Sequence, residues 1–161
     1  MFARSVQLPT VGRLKRGWGK WHGQLPVAQL PEPLDLVIEV PRSEPVEPFA
    51  ELAALFAATF GKLREDFTDE LFESYEFHKN SDLDAGDITE ADFAEHPAVR
   101  SREDIWTVLR PYRLCLFSPA DRHMGNSYLL IDVDWPNGHF FQLYMKASVD
   151  GFEYVHAEFV G

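Results

Sequence analysis

The groups able to do acid–base, nucleophilic or metal chemistry in this sequence are six histidines, one cysteine and 26 carboxylates. Zinc needs thiolates or histidines clustered at short spacing. His22, His78, His96, His123, His139 and His156 are scattered, no two of them three, four or five residues apart, so no metal site is expected. Cys115 is alone, which excludes an intrachain disulfide. It lies in the apolar run Leu114-Cys-Leu-Phe117, the setting of a small buried hydrophobe rather than a nucleophile. Ser81 to Phe93 has the outline of a calcium loop. With Gly86 at the sixth position, Leu83 and Ala85 fall where oxygen ligands are needed; with Asp82 first, Gly86 and Phe93 do. The stretch therefore reads as an acidic surface loop leading into a short helix at Thr89, without tight calcium binding. No glycine-rich phosphate loop, G-x-S-x-G elbow or H-E-x-x-H helix occurs, and no cofactor is expected.

What remains is a surface assembled by strands. Tyr128–Trp135 and His139–Lys146 alternate apolar and polar residues, as half-buried strands do. A three-residue loop, Pro136-Asn137-Gly138, pairs Val133 with Phe141, Ile131 with Leu143 and Leu129 with Met145. A two-residue Asn-Gly turn would instead put Asp132 and Asp134 on the apolar face. By the same logic, a Val149-Asp150-Gly151 loop pairs Phe141 with Phe159, Leu143 with Ala157 and Met145 with Val155. The opposite face then carries Tyr128, Asp132, Asp134, Gln142, Tyr144, Lys146, Tyr154, His156 and Glu158. Asp132 and Glu158 flank Gln142, roughly 10 Å apart at a strand spacing of about 4.8 Å. Tyr128, Asp132, Tyr144, Tyr154, His156 and Glu158 make this face the candidate recognition surface. His123 joins them from the loop Pro119–Asn126, which also holds Asp121, Arg122 and Asn126. The competing reading is a solvated sheet face with a polar strand connection.

The elements that must position these residues follow from periodicity. Phe49, Leu52, Ala53, Phe56, Phe60, Leu63, Phe67, Leu71 and Tyr75 recur at steps of three and four and lie on one stripe of a helix. Pro48 suits its first turn, and Glu47 and Glu51 favour its positive end. Unbroken to His78, this helix would run about 30 residues and roughly 45 Å, with Gly61 the expected bend. Ser101, Glu103 and Asp104 open a short second helix that Pro111 ends. Leu34, Leu36, Ile38 and Val40 mark a strand whose flanking prolines suggest a sheet edge. Shorter strands are expected at Val6–Leu8, Val11–Lys15 and Trp18–Leu25, and later ones at Tyr112–Phe117 and Phe152–Val160. A long helix followed by strands without alternation predicts an α+β fold. The expected architecture is a single domain over residues 1–161, with an antiparallel sheet of five to seven strands and the long helix across one face.

The chain of 161 residues is 45% apolar and 14% aromatic, too hydrophobic for a disordered segment. Its net charge of −11 disfavours nucleic acid as a partner. No run of 18 apolar residues exists and the first residues lack a signal peptide's apolar core, so a soluble cytoplasmic protein that does not cross a membrane is expected. The charge is uneven: residues 1–24 carry five basic side chains and no acid, whereas residues 65–104 carry 14 acids against Lys79, Arg100 and Arg102. Either the basic segment lies against the acidic one and neutralises it, or the acidic segment meets a basic partner protein by electrostatic steering.

The element order runs from Trp18–Leu25 through a strand, a long helix and the Ser101–Trp106 helix. It continues with Pro111 and its strand, then a strand ending in Asp134-Trp135 before Gly138-His139. This order resembles uncharacterised bacterial cytoplasmic domain families, some of which occur among the immunity proteins of polymorphic toxin systems. The resemblance implies a small α+β domain without known enzymatic chemistry. Those families carry a His-Gly pair where this chain has Gly138-His139, and no catalytic residue is carried over. The expected function is a non-catalytic, immunity-like binding protein that presents an acidic surface to a basic protein partner. The alternative is a small hydrolase using His123, His156, Asp132 and Glu158 as acid–base groups on the C-terminal sheet and the 119–126 loop.

Overall fold

The computed structural model describes residues 4–161. Eight strands form one sheet in chain order: β1 (Ser5–Leu8), β2 (Gly12–Gly17), β3 (Lys20–Leu25), β4 (Leu34–Glu39), β5 (Leu109–Asp121), β6 (Gly125–Val133), β7 (His139–Ser148) and β8 (Gly151–Val160). The α+β class is as expected, with more strands than the five to seven anticipated, because all three short N-terminal segments pair. Every neighbouring pair is antiparallel except β4–β5. These two run parallel because the helical segment between them carries the chain back across the sheet.

That crossover places β4 in the middle of the sheet, hydrogen-bonded to both β3 and β5, and not at an edge. The edge expectation fails for a simple reason. Pro33 and Pro41 flank β4 without lying in it, so no ladder N–H is missing. Pro111, by contrast, lies inside β5, which begins at Leu109 instead of Tyr112. It is tolerated because β4 pairs with β5 only from Arg113 onward, leaving that end of β5 open on one side. Tyr112 is an extra residue in β5, bulged between the Pro111–Ile131 and Arg113–Leu130 pairs.

The apolar stripe becomes two helices, α1 (Glu47–Asp66) and α2 (Thr68–Ala85), that meet at Phe67. As one rod, about 40 residues would reach roughly 60 Å, whereas eight strands about 4.8 Å apart span only about 34 Å. A bend lets both halves stay on the sheet. It falls at Phe67 (φ −98°, ψ 0°), while Gly61 continues α1 undisturbed. Gly61 serves a different purpose: a Cβ there would sit 3.3 Å from the Gln29 side chain, so its absence admits the 26–33 loop against the helix. The predicted second helix is a single 3₁₀ run, Arg102–Thr107, and another covers Glu90–Phe93. Ser101 occupies the cap position without a side-chain cap bond; the Asp104 carboxylate instead accepts the Arg100 N–H at 3.0 Å.

All helices lie on one face of the sheet. Leu14, Leu34, Leu36, Ile38, Leu114, Leu129, Ile131, Phe141 and Leu143 point from the strands into the same buried cluster as Ala53, Phe56, Phe60, Leu63 and Leu71 from the helices. Among the described residues, no helix lies on the other face of the sheet.

Candidate functional site

The strand register lays the open face out in rows. One row crosses all eight strands: Ser5, Lys15, His22, Val37, Cys115, Tyr128, Tyr144 and His156. The adjoining row carries Gln24, Asp35, Arg113, Leu130, Gln142 and Glu158. Tyr128, Asp132, Tyr144, His156 and Glu158 therefore share this face, as alternation requires, and Tyr144 lies beside His156 as expected. The register nevertheless differs from the expected one. Val133 pairs with His139, Ile131 with Phe141 and Leu129 with Leu143, so the β6–β7 loop has five residues, Asp134 to Gly138. Trp135 is buried in the core, and the Asp134 N–H is bonded to the Val108 carbonyl at 2.8 Å, which removes both from the strand. The slip is two residues, so the faces survive and the neighbours change. Asp132 stands opposite Phe140 and binds Arg110 at 2.9 Å. It is two strands and two residues from Glu158, roughly 12 Å at ordinary strand dimensions.

Tyr154 is on the wrong face for the expected surface. The β7–β8 turn has two residues, Val149-Asp150, and Val155 bulges, so Met145 pairs with Tyr154. Tyr154 then packs on the helix side against Phe67, ring centroids 5.9 Å apart. His123 is also apart, on an exposed hairpin tip that projects past the paired part of β5. The expected eight-residue loop is a tight turn, because the Asp121 carboxylate accepts the N–H groups of His123 (2.7 Å) and Met124 (3.1 Å). Those two bonds hold the Asp121 carboxyl below its usual range. Asn126 is equally committed, exchanging two hydrogen bonds with the Ala147 backbone. The acid–base quartet of the hydrolase reading does not converge.

The centre of the open face is chemically quiet. Burial pushes the Cys115 thiol up, and the Tyr128 hydroxyl in contact with it is pushed up as well. Around them the charges pair off: Lys20 with Glu39 at 3.3 Å and Arg113 with Asp35 at 3.5 Å. Among the described residues no group of three or more His, Cys, Asp or Glu side chains is placed to hold a metal ion.

Two histidine arrangements on the helix side escape sequence reading, because their members are distant in the chain. Asp134 and His96 form a close side-chain pair that ties the segment after the Glu90–Phe93 turn to the β6–β7 loop. His78 of α2 and His139 of β7 each stack on the Phe159 ring, at 4.5 and 4.6 Å between centroids. Burial lowers the His78 pKa, and His139 lowers it further, against an opposing pull from Asp82. A base with a lowered folded-state pKa binds fewer protons when folded than when unfolded. Its contribution to stability is therefore complete above the ordinary imidazole value of about 6.5 and is lost as pH falls through that value toward the lowered one. Urea midpoints are expected to drop between about pH 7.5 and 5.5, and more shallowly in His78→Phe, which keeps the stack but cannot titrate. Parallel pH profiles for the two proteins would contradict this.

The acidic segment is placed decisively. It covers α2, both 3₁₀ runs and the chain between them: α2 packs at the β8 side of the sheet and the Arg102–Thr107 run against α2 and β5, while the basic residues 4–24 occupy β1–β3. Among the described residues no ion pair joins the two segments, so mutual neutralisation is not what the fold arranges. The solvent face of α2 is a stripe of exposed residues at helical spacing: Asp69, Glu73, Phe77, Ser81 and Asp84. Phe77 is 68% exposed at its middle. Among the described residues, no helix is long and apolar enough to cross a membrane. Comparison with protein-family models, curated proteins and solved structures finds no match for this chain.

Proposed function

We propose that this chain is a non-catalytic binding protein whose α2 face engages a basic protein partner. The observation that carries the reading is Phe77, an aromatic side chain exposed on the acidic stripe between Glu73 and Asp84, while Asp69 at one end of the stripe pairs with Arg102 at 3.0 Å. Interfaces draw most of their affinity from a few aromatic or arginine anchors surrounded by a polar rim, while like-signed rim charges steer the encounter. Phe77 has the first role, and Glu73 and Asp84 have the second. An immunity-like protein, which must find and hold one target quickly, would use this combination. Hydrolase chemistry draws less support, because His123 stands apart on the β5–β6 tip and Asp132, already paired with Arg110, lies two strands from His156 and Glu158.

The test is affinity capture from the native host's cytosol by the wild-type chain, Phe77→Ser and Glu73→Lys/Asp84→Lys. The expected result is a protein of net positive charge retained by the wild type. Both variants should lose about tenfold or more of the affinity, and added salt should weaken retention by the wild type. An identical set of proteins on all three baits, or salt-insensitive capture, would remove the proposal.

A further inference from the structure

A deep cleft lies at the end of the sheet where β5 begins, with no α2 residue in its lining. It has a volume of about 830 Å³. Its sides come from the 29–32 loop, the last turns of α1, Trp106 and the first residues of β5. This volume falls within the range of roughly 300–1,000 Å³ typical of small-molecule sites. Most of the wall is apolar, from Leu30, Phe60, Trp106, Leu109 and Tyr112. Tyr112 reaches it because the β5 bulge turns that residue out of the strand's alternation.

One feature of the cleft is built rather than incidental. The Trp106 indole N–H donates to the Thr68 hydroxyl at 2.9 Å, and that hydroxyl donates to the Arg64 carbonyl at 2.7 Å. Phe60 meets the indole edge-on, centroids 6.4 Å apart. The Arg64 guanidinium lies over the indole so fixed, 5.1 Å from its centroid. A guanidinium stacked on a ring keeps its in-plane N–H groups free to bind an anion in a forked pair. Among the described residues Arg64 has no carboxylate within ion-pair distance, in a chain of net charge −11. The other guanidinium at the cleft, on Arg110, is already taken by Asp132 at 2.9 Å.

We infer that this cleft binds an apolar monocarboxylate. Its carboxylate takes the free fork of Arg64, and its body lies against Leu30, Tyr112 and Phe140. A single unpaired guanidinium matches a single negative charge. A phosphate dianion would bring a second charge to a cleft that Glu32 and Asp132 also line. Both a free organic acid and the C-terminal carboxylate of an apolar peptide present this chemistry. The inference stands on the cleft alone and does not depend on the proposed role of α2.

The probes are 3-phenylpropanoate and an N-acetylated pentapeptide ending in phenylalanine, each as acid and as amide, titrated into the full chain and followed by calorimetry and by the change in tryptophan fluorescence that is lost in Trp106→Phe. At least one acid is expected to bind about tenfold or more tightly than its amide, and the tighter of the two acids identifies the source. Arg64→Gln should abolish the preference for acid over amide, and Arg64→Lys should retain part of it. Equal binding of acid and amide, no binding of any probe, or an undiminished preference in Arg64→Gln would each overturn the inference. Should Arg64→Gln fail to fold, the acid–amide comparison on the wild type and Arg64→Lys decides the matter.

Discussion

Gly125→Ala is expected to destabilise the protein by about 3 kcal/mol or more, lowering Tm by roughly 10 °C for a domain of this size. Gly125 opens β6 at φ +81°, and a Cβ there would sit 2.2 Å from the Met145 carbonyl oxygen. Two penalties combine. An L side chain in the left-handed region costs about 1 kcal/mol or somewhat more. The main-chain clash cannot be relieved by a side-chain rotation, because the atom struck is backbone. Moving β6 away from β7 would strain the Ser127 hydroxyl bond to the Met145 carbonyl (3.0 Å) and both Asn126 bonds to Ala147. Gly138→Ala is the control, since Gly138 has a similar φ of +70° and open space around the missing Cβ. It should lose only about 1 kcal/mol. Thermal or urea unfolding of both variants separates strain from clash, and similar losses at the two positions would show that β7 does not approach Gly125 as described.

Phe141→Ala is expected to cost about 3–5 kcal/mol, against about 1 kcal/mol or less for Tyr144→Ala three residues further along the same strand. Phe141 is 0% exposed, paired with Ile131 and Phe159 and packed against the Phe159 ring at 5.1 Å. Its loss removes a large apolar area and leaves a cavity between sheet and helices that close packing cannot fill. Tyr144 lies on the open face and leaves no enclosed void. Urea unfolding with unchanged m-values measures both differences. A loss at Tyr144 as large as that at Phe141 would mean that the second sheet face is also covered, contrary to the one-sided architecture.

Faces were legible from alternation alone. Apolar and polar residues along β6, β7 and most of β8 take opposite sides whichever neighbours they meet, because side chains repeat every two residues. The same periodicity made the register illegible. A shift of two residues keeps every apolar residue inside, so the pattern could not distinguish a three-residue β6–β7 loop from the five-residue one. Trp135 decided that choice by entering the core among Tyr75, Phe93 and Phe159. A bulge at Val155 then sent Tyr154 inward, at a position where no turn residue or proline announces it.

The helical stripe from Phe49 to Tyr75 was equally plain, because steps of three and four are a local property of the chain. Its bend was not. Glycine's weak helix propensity pointed to Gly61, but the bend came where the helix had to stay over the sheet, and Gly61 was needed for the approach of Gln29. Composition alone set the imbalance between residues 1–24 and 65–104. Only the fold kept those charges out of ion-pair contact among the described residues and brought Phe77 to the surface among the acids. The cleft around Arg64 lay wholly beyond sequence reading. It joins residues near 30, 64, 106, 110 and 132, and contacts between segments so far apart follow from the order of strands in the sheet. Local spacing determines which side of an element is apolar; which elements meet depends on how all the apolar sides can be buried at once.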